Sequence, residues 1–230
     1  MMPSDSTDDA GAAPSPAPGS VPVDADEYPH DGVVDEWVFA AWRPDGRAGI
    51  VSGHRLHGRR AWYWSAVVEE GFPMLHLAEW EVKVRADPFV VKSHEMWAEH
   101  HCVAPFEQWS IGNEGYFVAL DDPDEALGRG YGSPEPTSAD VEWYATGPVV
   151  PIDGGYAQSG VAHGIVELLG RPHVTFTEVP ARRWRRWGAA LGPVHVDRAL
   201  AHTGLRAPFA FPDGTIADWV LTPDGWRSRR

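Results

Sequence analysis

The sequence predicts an all-β protein arranged as an antiparallel barrel or sandwich. Three observations carry that expectation. Apolar and polar residues alternate with a two-residue beat in many short stretches, Gly, Pro and Asp cluster between those stretches, and helical periodicity is scarce. Alternating βαβ units would need long 3.6-period segments between the strands, and none is found.

Residues 1–35 are read as a disordered acidic tail, since up to residue 30 they offer Ala, Pro, Ser, Gly and Asp with almost nothing to bury. From Trp37 onward strands are expected at 37–42, 49–56, 61–68, 75–85, 89–102, 108–120, 139–146, 158–169, 173–179, 215–221 and 225–229. Turn signals such as Pro44-Asp45-Gly46, Ala86-Asp87-Pro88, Asp153-Gly154-Gly155 and Pro223-Asp224-Gly225 separate them. One helical turn is expected at 122–127, with Asp122 as cap and Pro123 at the first helical position, and a second helical piece at 196–203. The Gly/Pro-rich segment 147–155 divides the strands into a first barrel-like domain, 36–150, and a smaller second one, 151–230.

Twelve tryptophans in 230 residues suit a sheet curled around an apolar interior. In Ala61-Trp62-Tyr63-Trp64-Ser65-Ala66-Val67-Val68, Trp62 and Trp64 share one side while Tyr63, Ser65 and Val67 share the other, and both sides are mostly apolar. Lys plus Arg number 19 against 33 Asp plus Glu, for a net charge of −14. Residues 1–36 hold nine acids and no base, and residues 37–170 hold 19 acids and nine bases, which argues against a nucleic-acid surface there. Residues 171–230 reverse the balance, with five acids and ten bases, and Arg182, Arg183, Arg185 and Arg186 read either as a solvated charge run or as contacts to an anionic group. A single Cys102 excludes an internal disulfide, and with no apolar stretch near 18 residues the expectation is a cytoplasmic protein without membrane attachment.

The densest polar cluster is Ser93 to Cys102. A zinc-protease motif fails on spacing, because position 98 is Ala; no metal and no cofactor is expected. On a strand, His94, Met96, Ala98, His100 and Cys102 share one face and Glu95, Trp97, Glu99 and His101 the other. Glu99 with His101 is the candidate catalytic pair, a carboxylate that can hold the imidazole's tautomer and poise a proton donor near neutral pH beside an aromatic wall; the bland alternative is a wet edge strand. Glu142 is a second candidate acid if the face it shares with Asp140 and Tyr144 points inward. Gln158 can orient a carbonyl or a water, and His163 is either a ligand contact or a satisfied core residue. No nucleophile elbow, phosphate-cradling loop or dinucleotide fingerprint is found.

Three passages together resemble the lipocalin-like superfamily that includes hydroxyneurosporene synthase (carotenoid 1,2-hydratase) and the AttH-like proteins. They are Ala104-Pro105-Phe106-Glu107-Gln108-Trp109 running to Tyr116 through Pro123; Asp140-Val141-Glu142-Trp143; and Gly155-Tyr156-Ala157-Gln158-Ser159-Gly160 leading to Arg183-Trp184-Arg185-Arg186-Trp187-Gly188. The resemblance covers residues 36–190 and implies two consecutive lipocalin-like β domains enclosing a hydrophobic ligand. Members of known role hydrate an isoprenoid alkene, and structurally similar proteins catalyse intramolecular Diels-Alder closures. Where the family carries Arg-Asp-His-x-Trp-Gly, Trp184 and Arg185 occupy the Asp and His positions here, and an arginine cannot supply the proton that alkene hydration needs.

The expected function is binding of a hydrophobic small molecule, isoprenoid, polyketide or steroid-like, and its isomerisation, cyclisation or hydration. Ligand contacts are expected from Trp64, Trp97, Trp109, Tyr116, Trp143, Tyr144, Gln158, His163 and Trp187, with chemistry from Glu99, His101 or Glu142 and with Arg183 or Arg185 near a carbonyl or carboxylate. The alternative is a non-catalytic carrier, sensor or sequestering protein for the same ligands. Oligomeric state is left open.

Overall fold

β1 (Val34–Trp42), β2 (Ala48–His57), β3 (Arg60–Glu69) and β4 (Met74–Lys83) form a meander, and β7 (Gln108–Leu120), β8 (Ser133–Ile152), β9 (Gly155–Leu168) and β10 (Val174–Gly188) form another. Two antiparallel seams, β1 with β10 and β4 with β7, close these eight strands into a ring. β5 (Val90–Lys92) and β6 (Met96–Ala104) extend the sheet beyond β7, and β11 (Leu205–Ala210), β12 (Ile216–Thr222) and β13 (Gly225–Ser228) make a separate three-stranded sheet. The computed structural model describes residues 19–194, 196 and 203–229. The helical piece expected at 196–203 therefore lies almost wholly outside the described residues.

The register fixes which side chains share a face. Trp37 and Phe39 of β1 stand opposite His54 and Ser52 of β2 and opposite Arg185 and Arg183 of β10, all pointing into the ring. Glu36 and Val38 point outward with Trp184 and Arg186. The ring interior is filled by Trp37, Phe39, Tyr63, Trp109, Trp143 and smaller apolar residues. A second core lies outside the ring, where Trp62, Trp64 and Trp184 meet Phe209, Phe211, Trp219 and Trp226 of the small sheet. β1 to β3 are thus buried on both faces, which is why the Trp62 to Val68 stretch is apolar on both sides.

Several expectations are corrected. The 36–150 and 151–230 division cuts through β8, and β9 and β10 complete the same ring as β1, so the two halves are one sheet; the separate element is the small sheet of β11 to β13. The strand expected at 89–102 is two, because Ser93 N–H turns back to the Met96 carbonyl. β10 runs on through the Arg/Trp passage, and β11 appears where no strand was expected. The helical turn forms as a 3-10 turn, Pro123–Leu127, with the Asp122 side chain accepting from Asp124 N–H at 2.9 Å. Residues 24–35, assigned to the tail, dock on the ring, with a 3-10 turn at Asp24–Glu27 and Glu27 fully buried. Among the described residues no helix is long and apolar enough to cross a membrane.

Candidate functional site

The ring interior carries a connected set of neutral polar groups among its aromatic rings. Ser52 Oγ lies 3.0 Å from the Tyr63 hydroxyl and 2.9 Å from His100 Nε2, and Asn113 Nδ2 donates to the Tyr63 oxygen at 2.8 Å. β2, β3, β6 and β7 each supply one member, placed by the inward alternation of their strands. Among the assignments that satisfy all three contacts is one in which the Tyr63 oxygen accepts from Asn113, Tyr63 donates to Ser52, and Ser52 donates to His100 Nε2. The His100 proton then sits on Nδ1.

That Nδ1 has no partner, and neither have His54 Nε2, Asn113 Oδ1, Trp109 Nε1 and Trp143 Nε1, although each atom is buried. Five orphaned polar atoms in one interior are unusual, because each buried unpaired donor or acceptor costs about 1–3 kcal/mol. Burial disfavours charge here. It lowers the His54 imidazole to about 3, with Arg185 adding to the effect, and holds His100 well below 6.5, with His54 adding. Burial also pushes the Tyr63 phenol up to about 12, opposed by its polar neighbours Ser52, Asn113 and Ser65. At neutral pH the interior therefore holds neutral imidazoles and an intact phenol. Beside Ser52, between Phe39, Ile50, Ile111, Val141 and Trp143, lies a cavity of about 20 Å³, room for one water.

At one end of the ring two inward arginines are neutralised, Arg183 by Glu27 of the segment before β1 and Arg185 by Asp35 at the start of β1. Arg183 donates to Glu27 from Nη1 at 2.7 Å and from Nη2 at 2.5 Å, and its guanidinium lies over Trp143, Tyr156 and Trp109 at 5.0, 5.5 and 5.8 Å. Gln158 Oε1 accepts from Arg183 Nε at 3.0 Å and Nη2 at 2.7 Å. Arg185 pairs with Asp35, donates to the Asp26 and Tyr28 carbonyls at 2.7 and 2.8 Å, and stacks over Trp37 and Trp187 at 4.0 and 5.0 Å. Burial lowers its pKa and Asp35 opposes that shift.

The residues singled out in the sequence divide cleanly. Trp109, Trp143, Gln158, Arg183 and Arg185 face the interior. Trp187 packs with Tyr156 and Val33 at the arginine end and stacks on His30. Trp64 faces outward and cements the small sheet to the ring. Trp97, Glu99 and His101 are on the outer face of β6, because Met96, Ala98, His100 and Cys102 take the inner one; the wet-edge alternative describes Glu99 and His101. Glu142 is outside with Tyr144, held by Gln108 Nε2 at 3.0 Å, and His163 meets Tyr144 there edge to face. Trp97 and Tyr116 line an open outer groove of about 590 Å³ with Lys92, His94, Glu114 and His173. Sequence reasoning overlooked Ser52, His54, Asn113 and Glu27 and passed over His100; the signal for His100 was its period-two kinship with Met96 and Ala98. Among the described residues no cluster of three or more His, Cys, Asp or Glu is arranged to hold a metal ion.

No protein-family model and no curated relative matches the sequence. Among solved structures the chain is similar to one titled "Crystal structure of CghA", at 12% identity and a TM-score of 0.39, over 83% of this chain and 58% of that one. The chain thus spans less than two thirds of the length of that structure's chain.

Proposed function

We propose that the ring takes up a small, mainly apolar molecule, isoprenoid, polyketide or steroid-like, that carries one carbonyl or hydroxyl group, and promotes its isomerisation or cyclisation. The observation that carries this reading is the Ser52, Tyr63, His100 and Asn113 network with unpaired polar atoms beside it, enclosed by aromatic rings. A guest's oxygen would accept from a network donor or from an indole N–H. His100, neutral at pH 7, is a base within reach of Ser52. Apolar walls restrict a flexible chain to few conformers, and aromatic faces stabilise developing positive charge by about 0.5–2 kcal/mol each. Hydration is the less supported of the three reactions, since it needs a carboxylic acid at the alkene and Glu27 and Asp35 are ion-paired to arginine.

The interior as it stands has a cavity of only about 20 Å³, so a guest enters only as Phe39 or Trp143 swings aside. Titration with a panel of polyenes, enones and sterols, read by tryptophan fluorescence, tests binding; a shift or quench that saturates is expected, and silence across the panel overturns the reading. The second reading, a carrier or sequestering protein, rests on the same enclosure. Product analysis separates the two: conversion lost in His100→Leu or Tyr63→Phe with binding retained marks an enzyme, and binding without conversion marks a carrier.

A further inference from the structure

We infer that the cradle around Arg183 is a carboxylate-binding subsite, that the chain fills it with its own Glu27, and that the ligand of the ring interior is an apolar carboxylic acid able to take Glu27's place. The last clause rests on the proposed function; the first two do not.

The cradle is built without Glu27. Arg183 is held from behind by Gln158, whose Nε2 is tied to the Phe106 carbonyl at 2.9 Å and the Gly147 carbonyl at 3.0 Å. Phe106 has φ of 61°, a left-handed conformation that a bulky residue adopts only under constraint, and this turns its N–H to Glu27 Oε1 at 2.8 Å. Three donors thus converge on one carboxylate: two from the guanidinium and one from backbone. They come from β10 and the turn between β6 and β7, and both are fixed by the sheet.

The group that fills the cradle is, by contrast, outside the strand ladders. Asp24–Glu27 is one 3-10 turn with local backbone bonds, Asp26 N–H to the Val23 carbonyl and Tyr28 N–H to the Ala25 carbonyl. Val23 and Tyr28 on either side are exposed. Side-chain contacts hold the turn down: Arg183, Arg185 and the Trp37 indole, which donates to the Glu27 carbonyl at 3.1 Å. Lifting the turn breaks no strand pairing. Trp143, which stacks on Arg183, also walls the interior cavity beside Ser52, so the cradle and the cavity meet at one indole.

Propionate contains the atoms that Glu27→Gly removes, and the test uses the full chain. Propionate should raise the melting temperature of Glu27→Gly by several degrees in a saturable way, beyond sodium chloride at equal ionic strength, and should have no such effect on Glu27→Gly/Arg183→Met. If Glu27→Gly does not fold unaided, refolding that depends on propionate supports the subsite equally. A propionate response no larger than that of chloride, or one that survives Arg183→Met, overturns it. Decanoate and decanol then probe the ligand class by fluorescence: Glu27→Gly should bind decanoate at least tenfold more tightly than the parent chain and decanol equally in both. Propionate rescue without decanoate binding leaves the subsite standing and overturns the apolar acid together with the interior cavity as its site. Decanoate binding that ignores Arg183→Met does the reverse, leaving the cavity and removing the subsite.

Discussion

The indole of Trp64 lies flat against Gly53, its cross-strand neighbour, so closely that a Cβ on Gly53 would stand 2.1 Å from the ring. Trp64 cannot retreat, because Phe211 of the outer core meets it edge to face at 5.0 Å and Trp80 lies beyond. Gly53→Ala is expected to lower stability by about 1–3 kcal/mol through overpacking, read as a fall in the urea midpoint. Gly147→Ala, where nothing lies within 4 Å of the added atom, is the control and should change little. Equal midpoints for the two would show that the small sheet does not clamp Trp64.

Acid should unfold the protein through its buried imidazoles. His54 and His76 sit at about 3 and about 4 through burial, with Arg185 adding at His54, and His100 is also held well below 6.5. The unfolded chain binds protons on these groups below 6.5 while the folded chain does not, so stability is full above that pH and falls as pH drops toward the folded values. Each such imidazole costs about 1.4 kcal/mol per pH unit within that window. Denaturation between pH 7.5 and 5 should show this slope, and His100→Leu should flatten it; a parent chain whose stability is level over the range contradicts the neutral interior.

Outside the ring, Glu36 accepts from Arg55 Nε and Arg186 Nε at 2.8 Å each, and all three side chains are buried beside the small sheet. Burial pushes the Glu36 carboxyl up, yet the two guanidinium groups outweigh it and hold the pKa below 4.5. Its contribution is present above that value and lost as pH falls through the lowered pKa. Glu36→Gln takes the carboxylate from buried Arg186 and leaves Arg55 only the more exposed Asp213 at 3.5 Å, and should cost about 3–5 kcal/mol. The exposed Arg47 and Glu70 pair is the contrast, and Glu70→Gln should cost less than about 1 kcal/mol by the same chemical denaturation.

The sequence carried the strand pattern well and the side-chain directions poorly, for a physical reason. Alternation reveals two faces but not which is inner when a second layer covers the outside, and that is the case for Trp62 and Trp64. On β6 the ambiguity was resolvable: Met96, Ala98 and Cys102 are the residues a closed ring buries, and His100 travels with them, whereas charge marks the face of Glu99 and His101 as wet. Glu27 left no local signal. Its partner is 156 residues away, and a lone acid in Asp24-Ala25-Asp26-Glu27 looks like any other in an acidic tail.

Phe39 decides how much room the interior has. It contacts His100 and Trp109 at ring distances of 5.2 and 5.4 Å and forms one wall of the small cavity by Ser52. Phe39→Ala should cost about 3–5 kcal/mol, because a ring framed by eight paired strands collapses little around the void. The enlarged cavity should then bind an apolar probe, so benzene is expected to recover part of the lost melting temperature in Phe39→Ala and to do nothing for the parent chain. Glu99→Gln and His101→Ala, on the outer face, should leave both stability and probe response within about 0.5 kcal/mol of the parent. Benzene without effect on Phe39→Ala would mean that the surrounding indoles close over the vacated space, and the interior would then lack the rigidity that holding a guest demands.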